Sequence, residues 1–277
     1  MSMFITSLNS GSNGNCYYVG NHKEAVLIDA GISCRETEKR MKRLGLDMEK
    51  VKAIFVSHEH GDHITGIPAL SKKFQLPVYI THHTFNNCGL PIEAHLVKPL
   101  LANQMITIGD LHITSFSKKH DAADPCSFVV SYNQINVGVF TDIGIACNNV
   151  LHHFKNCHAV FLESNYDVEM LDKGGYPYHL KRRITGGVGH LSNAQALELF
   201  VKHKTPYLSH LILSHLSKNN NSPELVQQLF EANAGSTNIV VASRYNETPV
   251  YAIGVGNARV IVAKQKLRKH ELQLSMF

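Results

Sequence analysis

The chain of 277 residues contains no tryptophan and only six cysteines. Cys16, Cys34, Cys88, Cys126, Cys147 and Cys157 are scattered, and none are spaced as C-x-x-C. That spacing excludes a zinc knuckle and offers no disulfide framework. The six read as small core residues in a chain expected in the reducing cytoplasm. No apolar run approaches the roughly 20 residues needed to cross a bilayer. The first ten residues lack the basic cluster and apolar run of a secretory signal, so none is expected. No low-complexity segment or short-period repeat occurs, apart from a basic tail expected over 264–277. Charged residues make up only 18%, with a formal net charge of +5. Such a surface is compatible with a polyanionic substrate, but by itself it describes no more than a solvated face.

What the chain has in quantity is histidine, 18 residues, and a hydrophobic fraction of 44%, ample for a sizeable core. Its first third alternates short β-rich runs, over 4–8, 16–19, 25–28 and 51–56, with turns. Ser33, with Glu36 three residues on, predicts a capping box opening a helix to about residue 44. Pro68 suits the first turn of a helix ending near residue 74. The middle predicts strand pairs around Gly109-Asp110 and Asn133-Gln134. An α/β pattern follows: a helix over 148–154, a strand over 159–162, and a helix to about 202 capped by Ser192 and Gln195. A strand over 208–213, a helix after Ser222-Pro223 and a strand over 238–242 complete it. The order implies two packed sheets with helices outside. The Gly-rich stretch 173–189 reads as a functional loop. Its Thr185-Gly186-Gly187-Val188-Gly189 lacks the Lys-Ser/Thr of a phosphate-binding P-loop and reads as mobile loop beside the site. The 10–15 segment, Ser10-Gly11-Ser12-Asn13-Gly14-Asn15, reads as a hairpin turn, with a place on the rim of the cleft as the alternative.

The informative segment is Ser57-His58-Glu59-His60-Gly61-Asp62-His63, at the end of an apolar strand. Four potential ligands, His58, His60, Asp62 and His63, fall within six residues, and such donors suit zinc, manganese or iron. The pairs His82-His83 and His152-His153 are ordinary polar surface in a histidine-rich chain.

The segment resembles the signature of the metallo-β-lactamase superfamily. That resemblance implies an α/β fold, the four-layer αββα sandwich of two mixed sheets with outer helices, as one domain over 1–277. It implies two divalent ions. One would take His58, His60 and His120; the other would take Asp62, His63 and His215; Asp142 would bridge them. His112 is the rival for the third histidine, but it sits inside a strand while His120 follows one. Asp29, at the end of an early strand, would support the ligand loop.

Two cations together lower the pKa of a water between them and neutralise substrate charge, which suits hydroxide attack on phosphorus. Asp62 would hold the nucleophile or relay its proton as well as bind metal. His190, before a capped helix whose N-terminus can face an anion, would donate to the leaving oxygen, oriented by Glu163. That layout looks like the phosphodiesterase branches. Ser192, Asn193 and Ser217 are candidate phosphate contacts, and Lys118, Lys119, Lys181, Arg182 and Arg183 candidate backbone contacts.

Ser7 to Tyr17, with Gly189-His190-Leu191-Ser192-Asn193 and Ser214-His215-Leu216-Ser217, is similar to the YycJ/WalJ-like branch. This implies a cytoplasmic DNA exonuclease working 5′ to 3′ and linked to mismatch repair, with DNA as partner, RNA as the other nucleic acid, and no membrane. The short stretch between His120 and Asp142 leaves no room for the arm of the tRNA-processing relatives. The stretch between Asp142 and His215 leaves none for a β-CASP insertion. The same metal site also admits a lactone, thioester or cyclic phosphodiester.

Overall fold

The structure is a computed structural model that describes residues 2–254. The tail expected over 264–277, with Lys264, Lys266, Arg268 and Lys269, lies outside the described residues.

The chain first builds β1 (Ser2–Asn9), β2 (Cys16–Gly20), β3 (Ala25–Ile28), β4 (Val51–Phe55), β5 (Val78–Ile80) and β6 (Val97–Pro99). It then builds β7 (Met105–Ile108), β8 (Leu111–Ser117), β9 (Cys126–Tyr132), β10 (Ile135–Phe140), β11 (Ala159–Glu163), β12 (His210–Ser214) and β13 (Asn238–Val241), before β14 (Tyr251–Gly254) returns to the first sheet. The sheet orders are β14-β1-β2-β3-β4-β5-β6 and β13-β12-β11-β10-β9-β8-β7. Both are mixed. β3 to β6 run parallel, as do β10 to β13, and the remaining pairs are antiparallel.

Sequence explains the difference between the two kinds of strand. β10, β11 and β12 are nearly continuous apolar runs, buried along almost their whole length, because helices cover the face turned away from the other sheet. The edge strand β7 alternates exposed and half-buried positions.

Parallel strands need crossovers, and these supply the outer layers. Between β3 and β6 lie α1 (Cys34–Arg43), α2 (Gly61–Ile64), α3 (Ile67–Phe74) and α4 (His82–Cys88). Between β10 and β13 lie α5 (Asn148–Phe154), α6 (Val168–Lys173), α7 (Tyr178–Thr185), α8 (Asn193–His203) and α9 (Pro223–Glu231). One core cluster fills the space between the sheets, where Phe55 meets Phe128 edge-on at 5.8 Å and Tyr17 meets Phe161 at 5.0 Å. A second packs α5, α8 and α9 on one sheet, and a third packs α1 and α3 on the other. The result is the four-layer αββα sandwich.

Two expectations change. The stretch 173–189 is not simply loop, because α7 forms within it. Its glycines close a packed turn: Gly189 is buried, and a Cβ there would lie 2.2 Å from the carbonyl oxygens of Arg183 and Ile184. The Ser33 cap is half of a capping box. Its hydroxyl accepts from the Glu36 amide, but the Glu36 carboxylate is taken by Arg40 at 2.9 Å.

The site lies where the parallel strands end. In the second sheet, Phe140 pairs with Leu162 and Leu162 with Leu213, so β10, β11 and β12 stop in one row. In the first sheet Ile28 pairs with Phe55. The polar residues just past these ends therefore gather along one edge, the usual place for a site in such sheets.

Candidate metal centre

Three residues that leave strand ends are left-handed without being glycine. Asp29 has φ 59°, Asp142 φ 54° and His215 φ 57°. Each such backbone costs about 1–2 kcal/mol, and surrounding bonds must hold it. The turn reverses each side chain toward the common centre. Gly31 permits the close approach of the ligand loop: a Cβ there would lie 1.7 Å from the Asp62 carbonyl oxygen.

The convergence forms two groups that share a carboxylate. In the first, His60 Nδ1 lies 3.0 Å from His58 Nε2 and 3.4 Å from His120 Nε2. In the second, Asp62 Oδ2 lies 3.5 Å from His63 Nε2 and 3.3 Å from His215 Nε2. Asp142 stands between them, with Oδ2 3.2 Å from His63 Nε2, and Oδ1 3.4 Å from His215 Nδ1 and 3.9 Å from His120 Nε2. Within each of these groups the donor atoms lie within 4.8 Å of one another. The two histidine pairs set aside as ordinary surface join no such group. His112 is exposed on β8 against Thr107.

These residues fit divalent ions. Nitrogen ligands at about 2.0–2.1 Å around a tetrahedral ion stand about 3.3 Å apart, which is the spacing of the first group. Asp142 Oδ2 is buried, and apart from the His63 imidazole at 3.2 Å no hydrogen-bond donor meets it, which leaves room for a cation there. The outer nitrogens of His63, His58 and His120 are already engaged. Asp29 Oδ2 faces His63 Nδ1 at 2.7 Å and accepts from Ser57 Oγ at 2.8 Å, while Asp29 Oδ1 accepts from the Ser57 amide at 2.7 Å. Ser57 Oγ also meets His58 Nδ1 at 2.8 Å, and the Gly189 carbonyl meets His120 Nδ1 at 3.0 Å. Each contact turns a second nitrogen to the centre, the outer support that metal sites need. Asp29→Ala is therefore expected to weaken metal affinity about 10–100-fold with the fold retained, as read by a competitive chelator titration. Unchanged affinity would rule out the supporting role.

Electrostatics divide the groups. Burial, reinforced by the positive charges of His63 and Lys118, holds His58 well below the ordinary histidine range. Burial lowers His120 to about 4. Both are neutral, as ligands must be. Burial would lower His63 too, but Asp142, Asp29 and Asp62 outweigh it and raise it to about 10. Asp142, Asp62 and Glu163 likewise overcome burial and raise His215 well above its usual value. Burial opposes ionisation of Asp62, yet His63 and His215 bring it down to about 2. In metal-free protein, protons on His63 and His215 therefore stand where a cation would. Filling the second group must release them, so its affinity should rise with pH across 7–9. His58 and His120, already neutral, should release none. Calorimetry in buffers of different ionisation enthalpy reads the proton count. The sign for stability runs the other way without metal. A His63 raised to about 10 stabilises the metal-free fold fully below about pH 6.5, and that contribution is lost as pH climbs through 10.

His190 Nδ1 lies 2.7 Å from Glu163 Oε1, and Glu163 Oε2 accepts the amides of Ile143 at 2.7 Å and Leu191 at 3.2 Å. Burial opposes Glu163 ionisation, but His190 lowers it to about 2. A cavity of about 440 Å³ opens above these groups, and Asp62, Asp142, His190, His215, Ser217 and Arg183 reach its wall.

Other expected contacts lie elsewhere. Ser192 is buried, and its hydroxyl and amide close the reciprocal capping box with Gln195. Asn193 is buried, accepts from Ser164 Oγ at 2.7 Å and bonds Asn221, while its amide donates to the Tyr166 carbonyl. These bonds occupy the N-terminus of α8, so it does not face an anion. Lys118 is buried and donates to the Thr141 carbonyl at 2.7 Å, unlike the exposed Lys119. Lys181 donates to the Asp172 carbonyl, and Arg182 is exposed; neither reaches the cavity.

Asn15 was not anticipated. Its amide lies 3.1 Å from both Asp62 Oδ2 and His63 Nε2, and its carbonyl accepts from the buried Tyr17 hydroxyl at 3.2 Å. Ser10 Oγ accepts the His215 amide at 2.8 Å. The 10–15 turn is thus the floor of the centre. No local pattern marks this, because the contacts span distant parts of the chain.

A centre of nitrogen and carboxylate donors on strand ends, beside an open cavity, defines a metal-dependent hydrolase of the metallo-β-lactamase fold. A family described as the beta-lactamase superfamily domain matches residues 24–216. The exodeoxyribonuclease YycJ of Bacillus anthracis is 37% identical, over 82% of this chain and 87% of its own. The exodeoxyribonuclease WalJ of Streptococcus pneumoniae serotype 2 is 32% identical, over 82% of this chain and 88% of its own. The metallo-β-lactamase fold protein YhfI of Bacillus subtilis, 17% identical, superposes with a TM-score of 0.70 over 91% of this chain and all of its own, a likeness of fold alone. The chain belongs to the metallo-β-lactamase superfamily, on its YycJ/WalJ branch.

Proposed function

We propose that this protein is a cytoplasmic DNA exonuclease that hydrolyses phosphodiesters in the 5′ to 3′ direction, acting as one domain with two divalent ions drawn from zinc, manganese and iron. The observation that carries the reading is the His190–Glu163 pair, 2.7 Å apart beside the metal centre. A phosphodiester needs a proton on its departing oxygen, and this pair supplies one; a thioester or β-lactam has no need of it there.

His58, His60 and His120 would hold one ion and Asp62, His63 and His215 the other, with Asp142 between them. When bound, such ions lower the pKa of a water and neutralise phosphate charge. Asp62, kept ionised, orients the attacking water and accepts its hydrogen bond. Glu163 holds His190 Nδ1–H, so that Nε2 faces the leaving oxygen and passes it a proton. Asp29, Ser57 and Asn15 fix the ligand side chains before substrate arrives. Arg183 and Ser217, on the cavity wall, neutralise and hydrogen-bond the flanking phosphates.

The test is incubation of the purified protein with Mn²⁺ or Zn²⁺ and DNA or RNA labelled at either end, single- or double-stranded. Metal-dependent shortening of DNA from the 5′ end is expected. If DNA and RNA both stay intact while a lactone, thioester or cyclic phosphodiester is cleaved, the nucleic-acid assignment falls. One ion per chain would instead favour a structural metal.

A further inference from the structure

α7 has an unusual face. None of its residues is buried, so it does not seal its apolar side against a core. Instead Leu180 and Ile184, one helical turn apart, line the cavity over the metal centre together with Tyr176, which precedes the helix. All three are half-buried. Asn219 Nδ2 donates to the Tyr176 hydroxyl at 3.2 Å, tying the ring to the loop that follows His215. On the same helix Arg183 pairs with Asp121, the residue after His120. The cavity lining therefore combines an apolar and aromatic stretch from α7 with the ligands and His190. A half-buried apolar stripe facing a catalytic cavity needs a partner with an apolar surface.

We propose that this stretch stacks the base of a single unpaired nucleotide at the end of a DNA strand. The inference rests on the nuclease reading above and adds the form of the substrate. The cavity volume, about 440 Å³, is at the low end of the roughly 300–1,000 Å³ typical of small-ligand sites, so it takes one nucleotide unit and not a base pair. Every base has an apolar face, so stacking is tolerant of sequence, as stepwise degradation requires. The substrate end must then be frayed or single-stranded before its phosphate reaches the metals, and Arg183 leaves Asp121 for a phosphate when the strand enters.

The test compares oligonucleotides whose terminal unit is normal or abasic, prepared at either end, with wild type, Tyr176→Ala and Tyr176→Phe. Tyr176→Ala should raise KM for the normal strand roughly 5–100-fold with kcat little changed, and Tyr176→Phe should keep most of the affinity. The abasic end should cost wild type a similar factor and cost Tyr176→Ala nothing further. A blunt duplex should be a poorer substrate than the same strand with an unpaired end. Binding is read separately in chelator, where a terminal 2-aminopurine should be quenched by wild type and not by Tyr176→Ala. Equal penalties on both strands, or none, with wild type degrading DNA normally, overturn the stacking wall and leave the nuclease reading intact. A wild type that degrades no DNA overturns the nuclease reading, and this inference with it.

Discussion

Replacing His63 by Ala is expected to remove one metal ion per chain and to lower metal-dependent hydrolysis by at least roughly 10²–10³-fold. The size follows from position. His63 is fully buried and meets three carboxylates: Asp29 at 2.7 Å, Asp142 at 3.2 Å and Asp62 at 3.5 Å. Removing it takes a ligand from the second group. It also takes the proton that neutralises those carboxylates when metal is absent. Breaking such a buried charge pair costs about 3–5 kcal/mol, so the metal-free variant should melt well below wild type. Metal content by mass spectrometry, thermal melts with and without chelator, and DNA degradation form the measurement. His215→Ala should behave alike, since His215 lies 3.3 Å from Asp62 and joins the same group. A His63→Ala protein that keeps two ions per chain and its activity would refute the ligand assignment.

The sequence carried the centre where its ligands are local, and lost it where support is not. His58, His60, Asp62 and His63 declare themselves within six residues because one strand end and one short helix, α2, place them together. Asp29, Asp142 and His215 were legible as polar residues after apolar strands. What the sequence could not display is their left-handed backbone, which turns each side chain inward. Asn15, Ser10 and Tyr17 lay hidden for another reason. Their role depends on β1 and β2 packing beneath β12 of the other sheet, which no local pattern encodes. The basic residues failed in the opposite direction. Charge alone suggested that Lys118 faces substrate, but the strand-end turn buries it against Thr141. Spacing cannot separate a buried lysine that ties two loops together from an exposed one beside it. Likewise, the glycines of 173–189 suggested loop, while the intervening Tyr178-His179-Leu180-Lys181-Arg182-Arg183 had enough helix propensity to form α7 once docked over the cavity.

His190→Ala is expected to lower kcat about 10²–10⁴-fold while both ions stay bound. The imidazole lies outside the two ligand groups assigned above; it joins Asp142, Glu163 and His215 in a third cluster of metal-ligating type, where its Nδ1 is committed to Glu163 at 2.7 Å. Its contribution is thus to the proton on the departing oxygen and not to metal affinity. That separates it from His63 on two readouts, metal content and leaving-group dependence. A phosphodiester with a p-nitrophenyl leaving group needs little protonation, so the His190→Ala defect should shrink strongly on it and persist on DNA. Glu163→Gln should fall between wild type and His190→Ala, because a neutral amide still meets the ring Nδ1 but lacks the carboxylate charge. Burial opposes the Glu163 charge, and His190 outweighs that opposition, holding the carboxyl at about 2. The pair therefore stays ionised on the Glu163 side across the working range, and the acidic limb of the rate profile should not belong to Glu163. If instead the defect is equal on activated and unactivated leaving groups, or metal is lost with His190, the imidazole acts through the metal centre and is not the proton donor.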